Sequence, residues 1–227
     1  VSIANFKVDG QAVNAANAVI RNGTVADILN GVKVEAEGTM TNGVLVAGVL
    51  ILKLQTNVRV EAGMQAKDAA QNTVTLLGRA IKLSADTELI DRLASANQPK
   101  TITLAALNPA DRLEVKAYKN PAGELIATRV ERTEVDPLVV VKGPADAKVP
   151  TTQLTLAGFG VSTGANTRYR DVTGTLVDAA TFYNAVQVPP AVPTIVHARG
   201  VVASLATNVV DATRSASTTG ELEIGED

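Results

Sequence analysis

The chain has no cysteine and no tryptophan, a single histidine, and only 3 phenylalanines and 3 tyrosines among its 227 residues. Without cysteine there are no disulfides, no thiolate zinc sites and no cysteine nucleophile. A lone histidine leaves an imidazole-based metal centre without a second ligand of its kind. The core must then be assembled from Val, Leu, Ile and Ala, and Val and Thr in quantity favour pleated structure. Charge of one sign is also lacking. A formal net charge of -2 without acidic or basic blocks is not the clustered positive surface that nucleic acid requires, so no nucleic-acid partner is expected. The longest apolar run, Gly43 to Leu52 (GVLVAGVLIL), is about half the length of a helical membrane span and reads as buried strand structure. The first residues, VSIANFKVDG, carry neither an initiator Met nor a signal pattern, which places the expected natural start upstream.

What is present is repetition. VTLLGRAIKLSADT (Val74 to Thr87) and LTLAGFGVSTGANT (Leu154 to Thr167) share apolar residues two apart, then Gly78 or Gly158, then Ile81 or Val161, then Thr87 or Thr167. FKVDGQAVNAANAV keeps the frame through Gly10 and Val13. A second block follows each copy, an alternating strand, a turn and a strand with a small apolar-Ala unit at Ala47, Ala127 and Ala206. Those alanines step by about 80 residues, the period of a small domain rather than of a solenoid turn. An opening strand, RVEAG ending on Gly63 and VVVKG ending on Gly143, precedes the second and third copies but not the first. The units expected are therefore 1–54, 55–135 and 136–219, with 220–227 as an extra strand. That strand, ELEIGED, either opens a fourth unit or supplies the strand the first unit lacks, in the same chain or in a neighbour, making a strand-exchanged oligomer.

Within a unit, LEVKAY and VKVEAEG alternate as half-buried strands do. TNG at Thr41 to Gly43 and NPAG at Asn120 to Gly123 are hairpin turns. In the second unit ADTELIDRLASANQPK places Leu89, Ile90, Leu93 and Ala94 at helical spacing behind Asp86 or Thr87, with Pro99 as terminator, which predicts one short helix there. Short strands with one helical insertion in about 80 residues predict an all-β fold of tandem small Greek-key barrels of the OB type, with an open sandwich as the alternative.

These motifs resemble those of the bacterial exported repeat family known as domain of unknown function 5666: an opening V-x-G strand, an apolar strand pair about a glycine, a Thr step, and a hairpin closing on G-x-L-x-A. The matching residues are Val60, Gly63, Leu76, Gly78, Ile81, Thr87, Asp111, Leu113, Val115, Gly123 and Ala127 in the second unit, and Gly143, Gly158, Val161, Thr167, Tyr169 and Ala206 in the third. The resemblance implies export to the bacterial periplasm, envelope or exterior. It implies no established activity, no cofactor and no catalytic residue.

His197 falls, by sequence alignment of the copies, where Lys116 and Glu35 stand, a position that reads as a solvated strand face. Glu35 with Glu37, and Glu131 with Glu134, are carboxylate pairs of the kind glycosidases use, but the first pair shares the outer face of an alternating strand. The tail acids Glu221, Glu223, Glu226 and Asp227 lack a calcium-loop pattern, and no phosphate loop is present. The remaining contact candidates are Tyr118, at a hairpin mouth, and Arg168, Tyr169 and Arg170, a run able to stack on a sugar or base. The reading is a non-catalytic β-repeat protein with an envelope protein or a glycan as partner, and a glycan- or oligonucleotide-binding OB-like module as the alternative.

Overall fold

The computed structural model describes residues 2–29, 32–53, 56–98, 100–202, 209–212 and 220–225. Among these residues the architecture is all-β with one α-helix. The first unit holds β1 (Phe6–Val8), β2 (Gln11–Asn14), β3 (Val19–Arg21), β4 (Val34–Thr41) and β5 (Val44–Leu52), the last being the apolar run as one strand. The second holds β6 (Val58–Gly63), β7 (Ala66–Asp68), β8 (Thr73–Leu76), β9 (Arg79–Asp91), β10 (Arg112–Lys119) and β11 (Leu125–Thr133). The third holds β12 (Val139–Val149), β13 (Gln153–Leu156), β14 (Phe159–Ser162), β15 (Arg168–Arg170), β16 (Leu176–Val177), α1 (Ala179–Ala185), β17 (Ile195–Val202), β18 (Val210–Asp211) and β19 (Glu221–Ile224).

The repeat is structural. The turns Asp9-Gly10, Leu77-Gly78 and Ala157-Gly158 each place two consecutive residues at positive φ, the geometry of a two-residue hairpin whose twist matches that of its strands. Each unit then pairs its next strand in parallel with the return strand of its hairpin: Val13 opposite Leu45, Ile81 opposite Leu125, Val161 opposite Val210. The hairpins carry a bulge at equivalent places, after Glu37 in β4 and after Lys116 in β10. Gly38 and Gly200 occupy this kink because a Cβ there would lie 2.0 Å from the Val46 carbonyl oxygen and 2.2 Å from that of Asp211.

In the third unit the ladders return on themselves, β12 to β13, β14, β18, β17 and back to β12. The second unit does the same when β6 and β7 are followed as one bent strand, through β8, β9, β11 and β10. The two circuits are joined by their opening strands: β6 pairs antiparallel with β12, Val60 opposite Val141. The result is one 14-stranded sheet around a shared, mostly aliphatic core from Val58 to Ile224. The first unit keeps a separate small core around Val13, Leu50 and Leu52.

Three expectations differ from the structure. The helix predicted over Asp86 to Pro99 does not form: residues 86–91 are the second half of β9 and 92–98 follow as turns, while Pro99 lies outside the described residues. Glu88 to Asp91 pair in parallel with Arg129 to Arg132, and that pairing overrides a short ambiguous apolar pattern. The helix lies in the third unit, where Asp178 caps α1 by accepting from the Thr181 N–H at 2.7 Å. The tail strand neither opens a fourth unit nor completes the first. β19 pairs antiparallel with β17 and in parallel with β15, so it is the far half of the third hairpin's return strand, equivalent to Arg129–Arg132 of β11. The register makes Ala212, not Ala206, the counterpart of Ala47 and Ala127; Ala206 lies outside the described residues.

Candidate functional site

The predicted stacking run does not converge. On a strand, neighbours face opposite ways, and β15 sends Tyr169 inward with Arg168 and Arg170 outward. Tyr169 is 5% exposed, its ring 5.2 Å from that of Phe182 and 6.2 Å from that of Tyr183. These rings fill the core under α1 and leave no free face for a sugar or base. Arg170 donates to Glu221 at 2.5 Å and to the Gly174 carbonyl at 2.7 Å, which braces β15 against β19. Arg168 is exposed at its edge.

Tyr118 is also buried, at a cleft of about 350 Å³ where the first and second units meet, lined by Asn22, Lys53, Ser84, Asp86 and Thr128. The Asn22 N–H donates to Asp86 at 2.8 Å across this junction. Burial, then the carboxylates of Asp27 and Asp86, push the Tyr118 hydroxyl up to about 12, so it stays protonated at physiological pH. Glu35 is exposed and paired with Lys53 at 2.9 Å. Glu131 accepts from Arg92 at 2.8 Å, and that bond holds its carboxyl below the usual range. Among the described residues no three His, Asp or Glu side chains gather as a metal would require.

A feature that the sequence did not mark lies over the joined opening strands. Pairing sets Lys116 opposite Arg59, Arg59 opposite Lys142, and Lys142 opposite His197. Three cations thus occupy successive strands β10, β6 and β12 in one transverse row, at the floor of a groove of about 850 Å³ walled by Lys119, Asp146, Pro193 and Ile195. Like charges directly opposite destabilise a sheet. Here the row is offset by Glu61 and Glu114, the next pair on the same face, 2.5 Å and 3.1 Å from Arg59. His197 is half-buried, not solvated, and its counterpart in β10 is Glu114 rather than Lys116. Burial, with Arg59 next and Lys142 adding, holds its imidazole below the usual value against the opposing pull of Glu223 and Glu61. Only strand register brings Arg59, Lys116 and Lys142 together. The signal available in sequence was their outward parity in RVEAG, LEVKAY and VVVKG.

No helix among the described residues is long and apolar enough to cross a membrane. No curated protein and no solved structure matches the chain. The sequence pattern of one family, described as Domain of unknown function (DUF5666), matches residues 2–49 and 53–131, the stretches that run from β1 into β5 and from β6 into β11. Since these segments make up more than half of the 227 residues, the chain belongs to the DUF5666 family.

Proposed function

We propose that this chain is a non-catalytic β-repeat module of the bacterial envelope or exterior, built of small OB-like Greek-key units and acting through contacts with protein. The observation that carries the reading is the β6–β12 ladder, Val60 opposite Val141. Units of this fold join edge to edge through their opening strands, so the element that begins one unit also serves as an interface. The closed ladder circuits of the second and third units support the small-barrel reading. Two fused units with a third alongside also suit repeated weak contacts, where linkage raises overall affinity.

A second reading, a binding module for a glycan or oligonucleotide, is favoured by one feature, the cationic groove over Arg59. Among the described residues no aromatic side chain lines that groove, so it offers charge without the stacking platform that such ligands use. One experiment separates the two. The purified chain is tested at near-physiological salt against immobilised envelope proteins, bacterial glycans and single-stranded oligonucleotides, together with chromogenic glycosidase and esterase substrates. Saturable binding in the protein arm alone supports the interaction module. A glycan or oligonucleotide signal lost in Lys116→Gln/Lys142→Gln replaces it with the second reading, and turnover of any substrate overturns both.

A further inference from the structure

The second and third units are related by a pseudo-two-fold axis through their joined opening strands. Val60 lies opposite Val141 on that axis, and the register on either side equates Arg112 of β10 with Ile195 of β17, and Gly63 with Pro144. The shared ladder is three pairs long, from Glu61 opposite Val140 to Arg59 opposite Lys142. Beyond Lys142 the same edge of β12 serves its own circuit: the Pro144 carbonyl accepts from the Ala157 N–H at 2.9 Å, and β13 pairs from Ala145 onward. Pro144 also has no N–H to offer β6. The two strands therefore part, and a fork opens between the circuits.

The two ends of this ladder are filled differently. At one end Arg112 is buried and reaches across to the Asp136 carbonyl at 2.8 Å and to Glu61 at 3.0 Å, which bridges β10 to the chain leading into β12. At the other end Ile195 stands in its place. Its shorter, uncharged side chain makes no such bridge, and the fork here is the groove of about 850 Å³. Arg59 and Lys142 lie on its floor and Lys116 on the β10 flank, while Val192, Pro193 and Ile195 form an aliphatic wall on the β17 flank. Val192 is 87% exposed. Asp146 is the one carboxylate among the described lining residues, against four cations. With Glu61 and Glu114 behind the floor included, and the Arg112 that shares Glu61, five cations still meet three carboxylates. Arg59 and Lys119 have carboxylate partners, whereas the Lys116 ammonium makes no ion pair among the described residues.

We infer that this fork binds an extended acidic segment of a partner polypeptide, its carboxylates turned to Lys116 and Lys142 and its aliphatic side chains to Val192, Pro193 and Ile195. An extended chain sends successive side chains to opposite sides. A segment that alternates Glu or Asp with Val, Leu or Ile therefore meets a cationic flank with one row and an aliphatic flank with the other. The surplus of positive charge selects the acids, and like cations opposite one another, a cost to the sheet on their own, gain counter-charges when the segment is seated. The wall argues for a polypeptide over a polysaccharide or nucleic acid, since it offers aliphatic contact and no ring on which a sugar or base could stack. The volume is that of a site for an extended ligand rather than a single anion.

This inference rests on the protein-contact reading above and names its surface and the chemistry of the partner. The probe is a fluorescent peptide of about four Glu-Val repeats, matched to the alternation of an extended strand, titrated into the full chain at near-physiological salt. Anisotropy gives the affinity and amide NMR shifts give the place. The expected result is saturable binding with a Kd below about 1 mM and shift changes centred on 57–59, 116–119, 142–146 and 192–195. Lys116→Gln/Lys142→Gln should weaken it about 5-fold or more, and Lys116→Arg/Lys142→Arg, which keeps the charge and guards against a folding defect, should not. Removing the same charge at the exposed Lys7 and Lys33 should leave binding unchanged. Val192→Ser, at a solvated position, and a Glu-Ser peptide of equal length should each bind roughly 3-fold or more weakly. No saturation up to about 1 mM, shifts centred elsewhere, equal weakening in the Lys7→Gln/Lys33→Gln chain, or equal binding by the Glu-Ser peptide overturns the inference. Protein-array binding that persists in Lys116→Gln/Lys142→Gln while the peptide stays silent removes only this inference. A silent protein arm removes the reading beneath it, and a glycan or oligonucleotide held more tightly than the peptide and lost in that double variant removes both.

Discussion

The hydroxyl of Thr167 donates to the Ala212 carbonyl at 2.8 Å, and Thr87 makes the same bond to Ala127 at 2.7 Å. Each threonine also accepts from the residue three before it, Gly164 at 3.0 Å and Ser84 at 2.8 Å. The bond sits where the parallel ladder breaks between two half-strands, and it satisfies a carbonyl that the bulge leaves without a ladder partner. Ala18 holds the equivalent place in the first unit, where its own N–H bonds to Ala15.

Thr87→Val keeps the shape and removes the hydroxyl, leaving the Ala127 carbonyl unpaired at a buried site and the Ser84 N–H unpaired at a partly exposed one. A buried orphan of this kind costs about 1–3 kcal/mol. Urea unfolding should show the midpoint fall with the slope unchanged, while Thr87→Ser stays near the parent. A Thr87→Val midpoint equal to the parent's would mean that the clasp adds nothing.

Tyr169 and Tyr183 touch in the same core yet differ at their hydroxyls. Tyr183 shares a 2.9 Å hydrogen bond with Thr163, and burial pushes its phenol up to about 12. The Tyr169 hydroxyl is buried with no partner among the described residues. Removing an unpaired buried group is neutral or favourable, whereas removing a paired one costs about 1 kcal/mol. Tyr169→Phe should therefore melt at or above the parent temperature and Tyr183→Phe below it. Tyr169→Ala should lose about 3–5 kcal/mol, as large-to-small core changes do. If Tyr169→Ala kept full stability, the ring would not be the core element it is taken to be.

Much of this fold was legible because its markers are local. Gly10, Gly78 and Gly158 each sit in a two-residue turn that needs positive φ, so they recur wherever that turn recurs. Thr87 and Thr167 recur because of their shared bond. A fixed period fails across Val202 to Val210, where this unit is longer than its siblings, so Ala206 is in step by sequence while Ala212 holds the register. Glu221–Ile224 then resembled an opening strand, since an opening strand and the end of a return strand carry the same alternation. The aromatic-basic run Arg168-Tyr169-Arg170 suggested a contact loop, but period-2 geometry splits such a run across two faces. The cationic row was hidden because β6, β10 and β12 are far apart in sequence and meet only by pairing.

Acid should unfold the chain partly through Asp91. Its carboxylate is 7% exposed and accepts from Arg132 Nε at 3.1 Å and from Nη2 as well, and also from the Leu93 N–H at 3.0 Å. The Arg132 bonds hold Asp91 below the usual carboxylate value, outweighing the opposing effect of burial. The unfolded chain, with Asp near 3.9, then binds the proton first as pH falls. The stabilisation is complete above that value and is lost as pH drops through the lowered folded value. Stability measured from pH 6 to pH 2 should fall less steeply below about pH 4 in Asp91→Asn than in the parent. Identical slopes would remove Asp91 from the acid transition.

His197 offers a cleaner titration because it is the only histidine. It faces Lys142 on β12 and Glu223 on β19, with Arg59 and Glu61 of β6 beyond. Burial and the two cations lower its affinity for a proton more than the carboxylates raise it. The folded value thus lies under the roughly 6.5 of an unfolded chain. Above that pH both states are neutral and the group contributes no slope. Below it the unfolded chain protonates first, and stability declines until the folded value is passed. The single imidazole C2 proton followed by NMR should titrate below 6.5, and Arg59→Gln should shift its midpoint upward by removing the cation with the larger effect on it. In His197→Gln the decline in stability over that window should vanish. A midpoint at or above the unfolded value, or one that ignores Arg59→Gln, would mean that the cationic row does not set the potential over these strands.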